Sequence, residues 1–213
     1  MTADDAQGVL AIWNDIRAGR EPEFESWYKN EHFPERLAVP GFRLGRRYEA
    51  VSGEPRYFCC YLTDTPDVLV SPGYLERLNN PTALTRAMMT GAFLNMTRTL
   101  CRRALRRGAL WGAYSVTVRF YEAVDEGRHG PLLDALAASD GVARCELWLA
   151  ADQGAGVTAE EALRGRDRKI AGCLVIDTLR QPDAERVARQ MTREFGAPTE
   201  IGVYRLLCEI EAC

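Results

Sequence analysis

Two adjacent ionisable residues, Glu31 and His32, are the best candidates for acid–base chemistry in a sequence that contains only two histidines. An imidazole titrates near neutral pH and can accept or donate a proton. A carboxylate can serve as the base when burial raises its pKa, or it can hold a cationic group. Both residues are therefore predicted to be catalytic. The structural alternative is that His32 braces a helix kink and Glu31 pairs with one of Arg36, Arg43 or Arg46.

Residues Glu21–Val39 are predicted to form the helix that positions this pair. Three aromatic residues fall on one face of the helical wheel: Phe24, Trp27 and Tyr28. Glu31 falls near the centre of that face and His32 on its flank. Pro34 disfavours helical geometry at the residue before it, so the helix is predicted to kink or restart there.

Two further polar residues lie on otherwise apolar strand faces, where they could orient a ligand. Asn14 shares a face with neighbouring aliphatic residues, and Arg46 could stabilise a developing oxyanion. The alternative for Arg46 is a structural ion pair with Asp15 or Glu31. Five aromatic residues are predicted to line a substrate pocket with them, although each taken singly is more often part of a core: Trp13, Trp27, Tyr28, Tyr48 and Tyr61.

Both halves of the chain show the order strand–helix–strand–strand–helix–strand. Strands are predicted at Gln7–Ile16, Phe42–Val51, Arg56–Thr63, Phe93–Arg102, Ala113–Glu122, Ala143–Leu149, Lys169–Thr178 and Thr199–Ile210. The other helical segments are Asp67–Arg86, in parts, Pro131–Ser139 and Asp183–Phe195, while Asp152–Arg166 is predicted to be a loop. The predicted fold is α+β, with tandem ferredoxin-like (βαββαβ) halves at 1–107 and 108–213 that form a barrel-type core.

Composition excludes several classes of protein. The 213 residues carry a formal net charge of −3, which gives no general attraction to nucleic acid. No stretch is long and apolar enough for a membrane span, and no signal peptide is recognisable, so a cytoplasmic location is predicted. Seven cysteines without a CxxC motif predict buried reduced thiols and no metal site. The basic run Cys101–Arg107 is predicted to be solvated.

The segments WNDI, WYKNEHFPERLAVPGFRLGRRYEA and YLERLNNPTALTRAM resemble the dimeric α+β barrel superfamily, and within it EthD-like and related proteins. The resemblance covers roughly the first hundred residues, about one small domain. It implies that His32 is the family's helix histidine and that it lines a cavity between two sheets. Because the second-half segment PLLDALAAS has no histidine, a single asymmetric site is expected.

The resemblance implies several chemistries, since the family includes cofactor-free monooxygenases, isomerases, cyclases, haem-binding enzymes and proteins of no known activity. The first hypothesis is cofactor-independent proton transfer or monooxygenation of an aromatic or carbonyl-bearing metabolite, with His32 moving the proton and Arg46 and Asn14 holding an oxyanion. The second is a non-catalytic protein that binds a small ligand in the same pocket. The third is a haem-binding enzyme with His32 as axial ligand. No other cofactor is predicted, and the barrel could close within one chain or across a homodimer.

Overall fold

Eight antiparallel strands close into one barrel in the computed structural model, which describes residues 3–151 and 156–212. The strands are β1 (Gly8–Ile16), β2 (Phe42–Ser52), β3 (Tyr57–Thr63), β4 (Phe93–Arg107), β5 (Tyr114–Phe120), β6 (Val142–Ala150), β7 (Gly172–Thr178) and β8 (Glu200–Glu211). The helices are α1 (Glu21–Trp27), α2 (Phe33–Leu37), α3 (Pro72–Asn79), α4 (Ala83–Gly91), α5 (Glu126–Ala137), α6 (Ala159–Arg164) and α7 (Gln181–Phe195). A π-helical turn, Tyr28–His32, joins α1 to α2, and a 3-10 turn, Pro66–Val70, precedes α3.

The strand order repeats between the two halves of the chain. The first half is ordered β4-β1-β3-β2 and the second β8-β5-β7-β6. Two ladders join them: β2 pairs with β8, as at Gly45 and Ile210, and β4 pairs with β6, as at Cys101 and Ala150. The barrel therefore closes within one chain and needs no second copy to complete it.

The barrel interior is packed with large side chains. Alternate residues of each strand point inward, as the pleat requires. The Phe58 ring stacks on Trp13 with centroids 4.9 Å apart and on Tyr48 at 5.1 Å, and Tyr204 packs against it at 5.6 Å. The space between the two sheets is thus filled at this point, and the cavity expected there from the resemblance is instead found outside the barrel, beneath the helices.

Buried ion pairs fill the rest of the interior. The Arg46 guanidinium lies 3.1 Å from Asp177 and 4.6 Å from the centroid of the Trp111 ring. Its structural partner is therefore Asp177 and not Asp15 or Glu31. Arg103, from the basic run predicted to be solvated, is 7% exposed and lies 3.2 Å from Glu146. Inward-facing arginines need such carboxylates because an unpaired buried charge is costly.

The helices lie on the outer faces of the sheet. The first-half helices cover β1 and β3, and α5 and α7 cover the second half. α6 packs beside α3 and α4 although it belongs to the second half. None of the described helices is long and apolar enough to cross a membrane.

The structure differs from the sequence predictions at two helices of the second half and at one cysteine. The predicted loop Asp152–Arg166 contains α6, because Thr158 caps an Ala- and Glu-rich turn; residues 152–155 lie outside the described residues. α5 begins five residues before the predicted start, so it includes His129. Five cysteines are buried free thiols as predicted, namely Cys59, Cys60, Cys101, Cys145 and Cys173, whereas Cys208 is exposed and Cys213 lies outside the described residues. No metal-binding group of side chains is found in residues 3–151 and 156–212.

Replacing Arg46 tests the buried ion pair. We expect Arg46→Met to lower the free energy of unfolding by about 3–5 kcal/mol, because it leaves the Asp177 carboxylate buried without its cation. Adding Asp177→Asn should recover part of this loss. Urea denaturation measures both. The matched control is Arg205→Met, at a side chain that is 58% exposed, which should change stability by less than about 0.5 kcal/mol; an equal loss in the two arginine variants would contradict this account.

Candidate functional site

The π-helical turn between α1 and α2 places His32 against the sheet. The Phe33 amide donates to the Tyr28 carbonyl, five residues back, instead of to the residue four back. One extra residue in a turn rotates the following side chains by about 100° around the helix axis. His32 therefore lies on the buried face, where an uninterrupted helix would put Glu31. Such turns are frequent at functional sites.

The imidazole of His32 is enclosed by aromatic rings. The Trp27 ring stacks on it with centroids 4.1 Å apart and an interplanar angle of 30°. Tyr28 contacts it edge-on at 5.1 Å, and Tyr61 from β3 lies at 6.3 Å. Only 6% of the residue is exposed. These contacts fix the ring and keep bulk water away from it.

A cavity of about 30 Å³ lies beside His32. Three buried polar atoms on residues that line it lack a hydrogen-bond partner among the described residues: His32 Nδ1, Arg36 Nη1 and Tyr61 Oη. Buried polar groups are normally paired, and each unpaired one costs roughly 1–3 kcal/mol. The volume matches one water molecule or a comparably small group with two to four polar partners. Residues that carry unpaired polar atoms therefore surround this small cavity.

Several charges surround the cavity. Arg36, from α2, pairs with Glu160 of α6, and Arg164 forms two hydrogen bonds with Asp167 at 2.9 and 2.6 Å. Arg98, from β4, donates to the Tyr74 hydroxyl at 2.9 Å. Although burial opposes it, Glu160 helps hold the pKa of Arg36 above its usual range, so this side chain stays charged.

The histidine is held in its neutral form. Burial lowers its pKa well below 6.5, and the positive charges of Arg36, Arg164 and Arg98 lower it further. A neutral imidazole can accept a proton from a bound molecule, and the adjacent guanidinium groups favour the anion that this leaves behind. The imidazole is therefore available as a proton acceptor.

An open cleft of about 760 Å³ adjoins the cavity. The two spaces share Phe93, Met96 and Arg164 among their lining residues. The cleft is within the usual size range for small-molecule sites, roughly 300–1,000 Å³. Met96 has a flexible side chain that can adapt to a guest. A molecule in the cleft could thus present one group to His32 across this boundary.

A second large groove, of about 790 Å³, lies between α1 and β8. Arg47 at its floor forms two hydrogen bonds with Glu25, at 2.5 and 2.7 Å, and lies 4.4 Å from the centroid of the Tyr28 ring. Its cation is therefore already paired. Tyr28 is the one lining residue that this groove shares with the His32 cavity, among those described.

Glu31 lies beside the site and faces α4. Its carboxylate accepts hydrogen bonds from the Thr82 hydroxyl at 2.5 Å and the Thr85 hydroxyl at 2.6 Å. Thr85 also accepts from the Trp27 indole N–H at 2.9 Å. Glu31 thus reaches His32 only through Thr85 and Trp27, and it pairs with none of the three arginines proposed as partners.

The structure divides the other predicted site residues between the two faces of the sheet. Trp27, Tyr28 and Tyr61 lie beneath the helices with His32. Asn14 is buried on the same face of β1 as Ile12, but it does not line the His32 cavity. Trp13, Arg46 and Tyr48 point into the barrel interior, because their positions on β1 and β2 have the opposite parity. Arg46 and His32 therefore do not meet.

Sequence reasoning missed four charged residues around His32, which are Arg36, Arg98, Glu160 and Arg164. Arg36 was considered only as a partner for Glu31, although its place four residues after His32 puts both on one helix face. Arg98 shares a face of β4 with the apolar residues Met96 and Leu100, a signal that could have marked it as buried. Nothing in the sequence indicated that α6 crosses to the first half.

No protein-family model and no curated protein matches the chain, but solved structures share its fold. An anthrone oxidase-like protein matches with a TM-score of 0.62 and 11% identity, covering 100% of this chain and 96% of its own. A candidate monooxygenase from Fusobacterium nucleatum matches with a TM-score of 0.58 and 6% identity, and the match covers 97% of this chain and 95% of the monooxygenase chain. A chlorite dismutase variant from Candidatus Nitrospira defluvii matches with a TM-score of 0.51 and 11% identity, and the match covers 93% of this chain and 91% of the dismutase chain.

These structures share an α+β barrel fold with the chain, which agrees with the predicted superfamily resemblance. The more specific EthD-like likeness stays a prediction. At 6–11% identity the matches establish the fold alone.

The lowered pKa of His32 has a consequence for stability. Below pH 6.5 the unfolded chain protonates this residue and the folded chain does not, so stability is lost as the pH falls. The slope contributed by one such group is at most about 1.4 kcal/mol per pH unit. We expect urea denaturation at pH 7.5 and 5.5 to show a larger loss for the wild type than for His32→Gln. Equal losses would contradict a neutral buried imidazole, as would an NMR titration of His32 with a pKa at or above 6.5.

Proposed function

We propose that the protein is a cofactor-independent small-molecule enzyme in which His32 removes a proton from an aromatic or carbonyl-bearing substrate. The observation that carries the proposal is the neutral, buried imidazole of His32, whose Nδ1 has no hydrogen-bond partner among the described residues and which lines a small cavity together with arginine side chains. A general base of this kind contributes roughly 10²–10⁴-fold to a rate.

Arg36 stabilises the anion that proton removal creates. Its Nη1 is buried and unpartnered while its Nη2 is held by Glu160, so the guanidinium is fixed with one donor free. A preorganised donor in a site without water favours developing negative charge far more than it does in solution. Arg36 takes the role that the sequence analysis assigned to Arg46. Arg46 points into the barrel interior and does not reach this site.

The outer cleft holds the body of the substrate. Its volume accommodates a multi-ring aromatic molecule, whereas the inner cavity admits only a group the size of a water molecule or dioxygen. For a substrate with an acidic CH₂ group, the reaction with dioxygen gives a carbonyl and one water: R₂CH₂ + O₂ → R₂C=O + H₂O. The name of the anthrone oxidase-like neighbour is compatible with such a substrate.

The two halves are inferred to be tandem ferredoxin-like repeats, 1–107 and 108–213, since each shows the same strand order. The first half carries His32 and most of the cavity wall. The second half contributes Glu160 and Arg164, so we assign it a part in the site in addition to its structural role. Cytoplasmic location and homodimer formation remain predictions, and the closed barrel does not depend on the latter.

A haem bound through His32 does not fit the site. The cavity of about 30 Å³ is at least tenfold smaller than the usual range for ligand sites, and the Trp27 ring covers one face of the imidazole at 4.1 Å. No step of the proposed reaction involves haem. Reconstitution with haemin would test this, since a Soret band lost in His32→Gln would favour the haem-binding alternative.

Substitution of His32 tests the proposed reaction. Wild type and His32→Gln are compared on anthrones, quinols and lactones, with oxygen uptake and product absorbance giving kcat and KM. We expect kcat to fall on the order of 10²–10⁴-fold while KM changes little, because the cleft that binds the substrate is unaltered.

His129→Gln is the matched control, since its imidazole lies on α5 against Phe120 and Phe195, away from the site. This variant should have the same kcat and KM as the wild type. Unchanged turnover in His32→Gln would eliminate His32 as the base. Binding of panel members without any turnover by the wild type would favour the non-catalytic ligand-binding alternative.

A further inference from the structure

A further chamber, of about 260 Å³, has Arg98 in its wall and shares no lining residue with the outer cleft among the described residues. It shares only Arg98 and Leu78 with the His32 cavity, among the described residues. Its walls are mainly aliphatic, with Leu69, Leu75, Leu100 and Ile170 among them, and its charged residues are the cations Arg98 and Lys169 and the carboxylate Glu161. The chamber is thus an apolar space with positive charge on its wall.

The charges around this wall do not balance. Among the residues that the structure describes, four cations lie there, Arg36, Arg98, Arg164 and Lys169, with three carboxylates, Glu160, Glu161 and Asp167. Arg36 pairs with Glu160, Arg164 with Asp167, and Lys169 lies 4.0 Å from Glu161. One positive charge is therefore in excess.

Arg98 carries that excess. It is 91% buried, and no described carboxylate lies within 4 Å of its guanidinium. Its one side-chain hydrogen bond in the described structure goes to the neutral Tyr74 hydroxyl. A guanidinium has five N–H donors and normally pairs with a carboxylate when it is buried. Against the effect of burial, Asp167 and Glu160 help to raise the pKa of Arg98 from farther away, but each is already paired with another arginine. A buried cation without a directly contacting anion is costly.

We propose that this chamber is a binding site for a small monocarboxylate with a compact apolar body. The carboxylate would pair with Arg98, with Lys169 assisting from the chamber rim, and the aliphatic walls would cover the rest of the molecule. A single negative charge matches the single excess cation. A doubly charged anion would overcompensate in a mostly apolar space.

The proposal does not depend on catalysis by His32. The chamber meets the His32 cavity at Arg98, but its walls contain neither His32 nor Trp27. Binding can be measured without turnover, so failure of the proposed reaction would leave this site unaffected.

Titration calorimetry with benzoate and hexanoate tests the site, with benzamide and hexanamide as neutral isosteres. We expect wild-type protein to bind the acids at least about tenfold more tightly than the amides, the fold-change expected for one charge-assisted pair. Arg98→Met should lose about tenfold or more of the affinity for the acids. Lys169→Met should lose affinity by a smaller factor, because its side chain is 49% exposed and already has carboxylate neighbours.

Arg128→Met is the matched control for loss of one positive charge, because its side chain is 86% exposed and lies on α5. It should bind benzoate like the wild type. If Arg98→Met does not fold, the affinity of Lys169→Met for the acids decides the test. Equal affinity for acids and amides would overturn the proposal, as would no binding of either acid or unchanged affinity in Lys169→Met. Tighter binding of inorganic phosphate than of benzoate would overturn the choice of a monocarboxylate.

Discussion

Closure of the sheet is the constraint on which the rest of this structure depends. Once β2 pairs with β8 and β4 with β6, the inward-facing side chains of all eight strands share one enclosed space. Aromatic rings and arginine–carboxylate pairs fill that space, as at Phe58 and Arg46. The small cavity beside His32 is consequently found where helices cover the outer face of the sheet, whereas the large cleft lies at one end of the barrel, where Arg119 and Glu200 are among its lining residues.

The space between the first-half helices and the sheet must accommodate both a neutral imidazole, at His32, and several buried positive charges. His32 must stay neutral to act as a base, and burial together with nearby guanidinium groups achieves this. The same guanidinium groups would favour an anion formed on a substrate. Arg36 is paired with Glu160 of α6, which reaches across from the second half, and Arg164 is paired with Asp167, which follows α6. The two halves are therefore linked by the charges of the site as well as by the ladders of the barrel.

Much of the secondary structure could be predicted from the sequence, because alternation of side chains along a strand and the Gly and Pro residues that end helices are local signals. The eight strands and the break before Pro34 were predicted, but Asn14 and Arg46 were expected to share one pocket and instead lie on opposite faces of the sheet. The site itself was only partly predictable. The extra residue of the π turn reversed the roles of Glu31 and His32 at the buried face, and no local pattern reveals a hydrogen bond five residues back. Arg98 and α6 acquire their importance only through long-range contacts.

A high-resolution crystal structure of the protein would test the central claim most directly, namely that the imidazole of His32, without a protein partner, lies beside a small cavity outside the barrel. The account predicts electron density in that cavity for a water or another small molecule, within hydrogen-bond distance of His32 Nδ1 and Arg36 Nη1. It would be contradicted if Nδ1 were bonded to a protein group, if His32 faced bulk solvent, or if the open space lay inside the barrel beside Arg46.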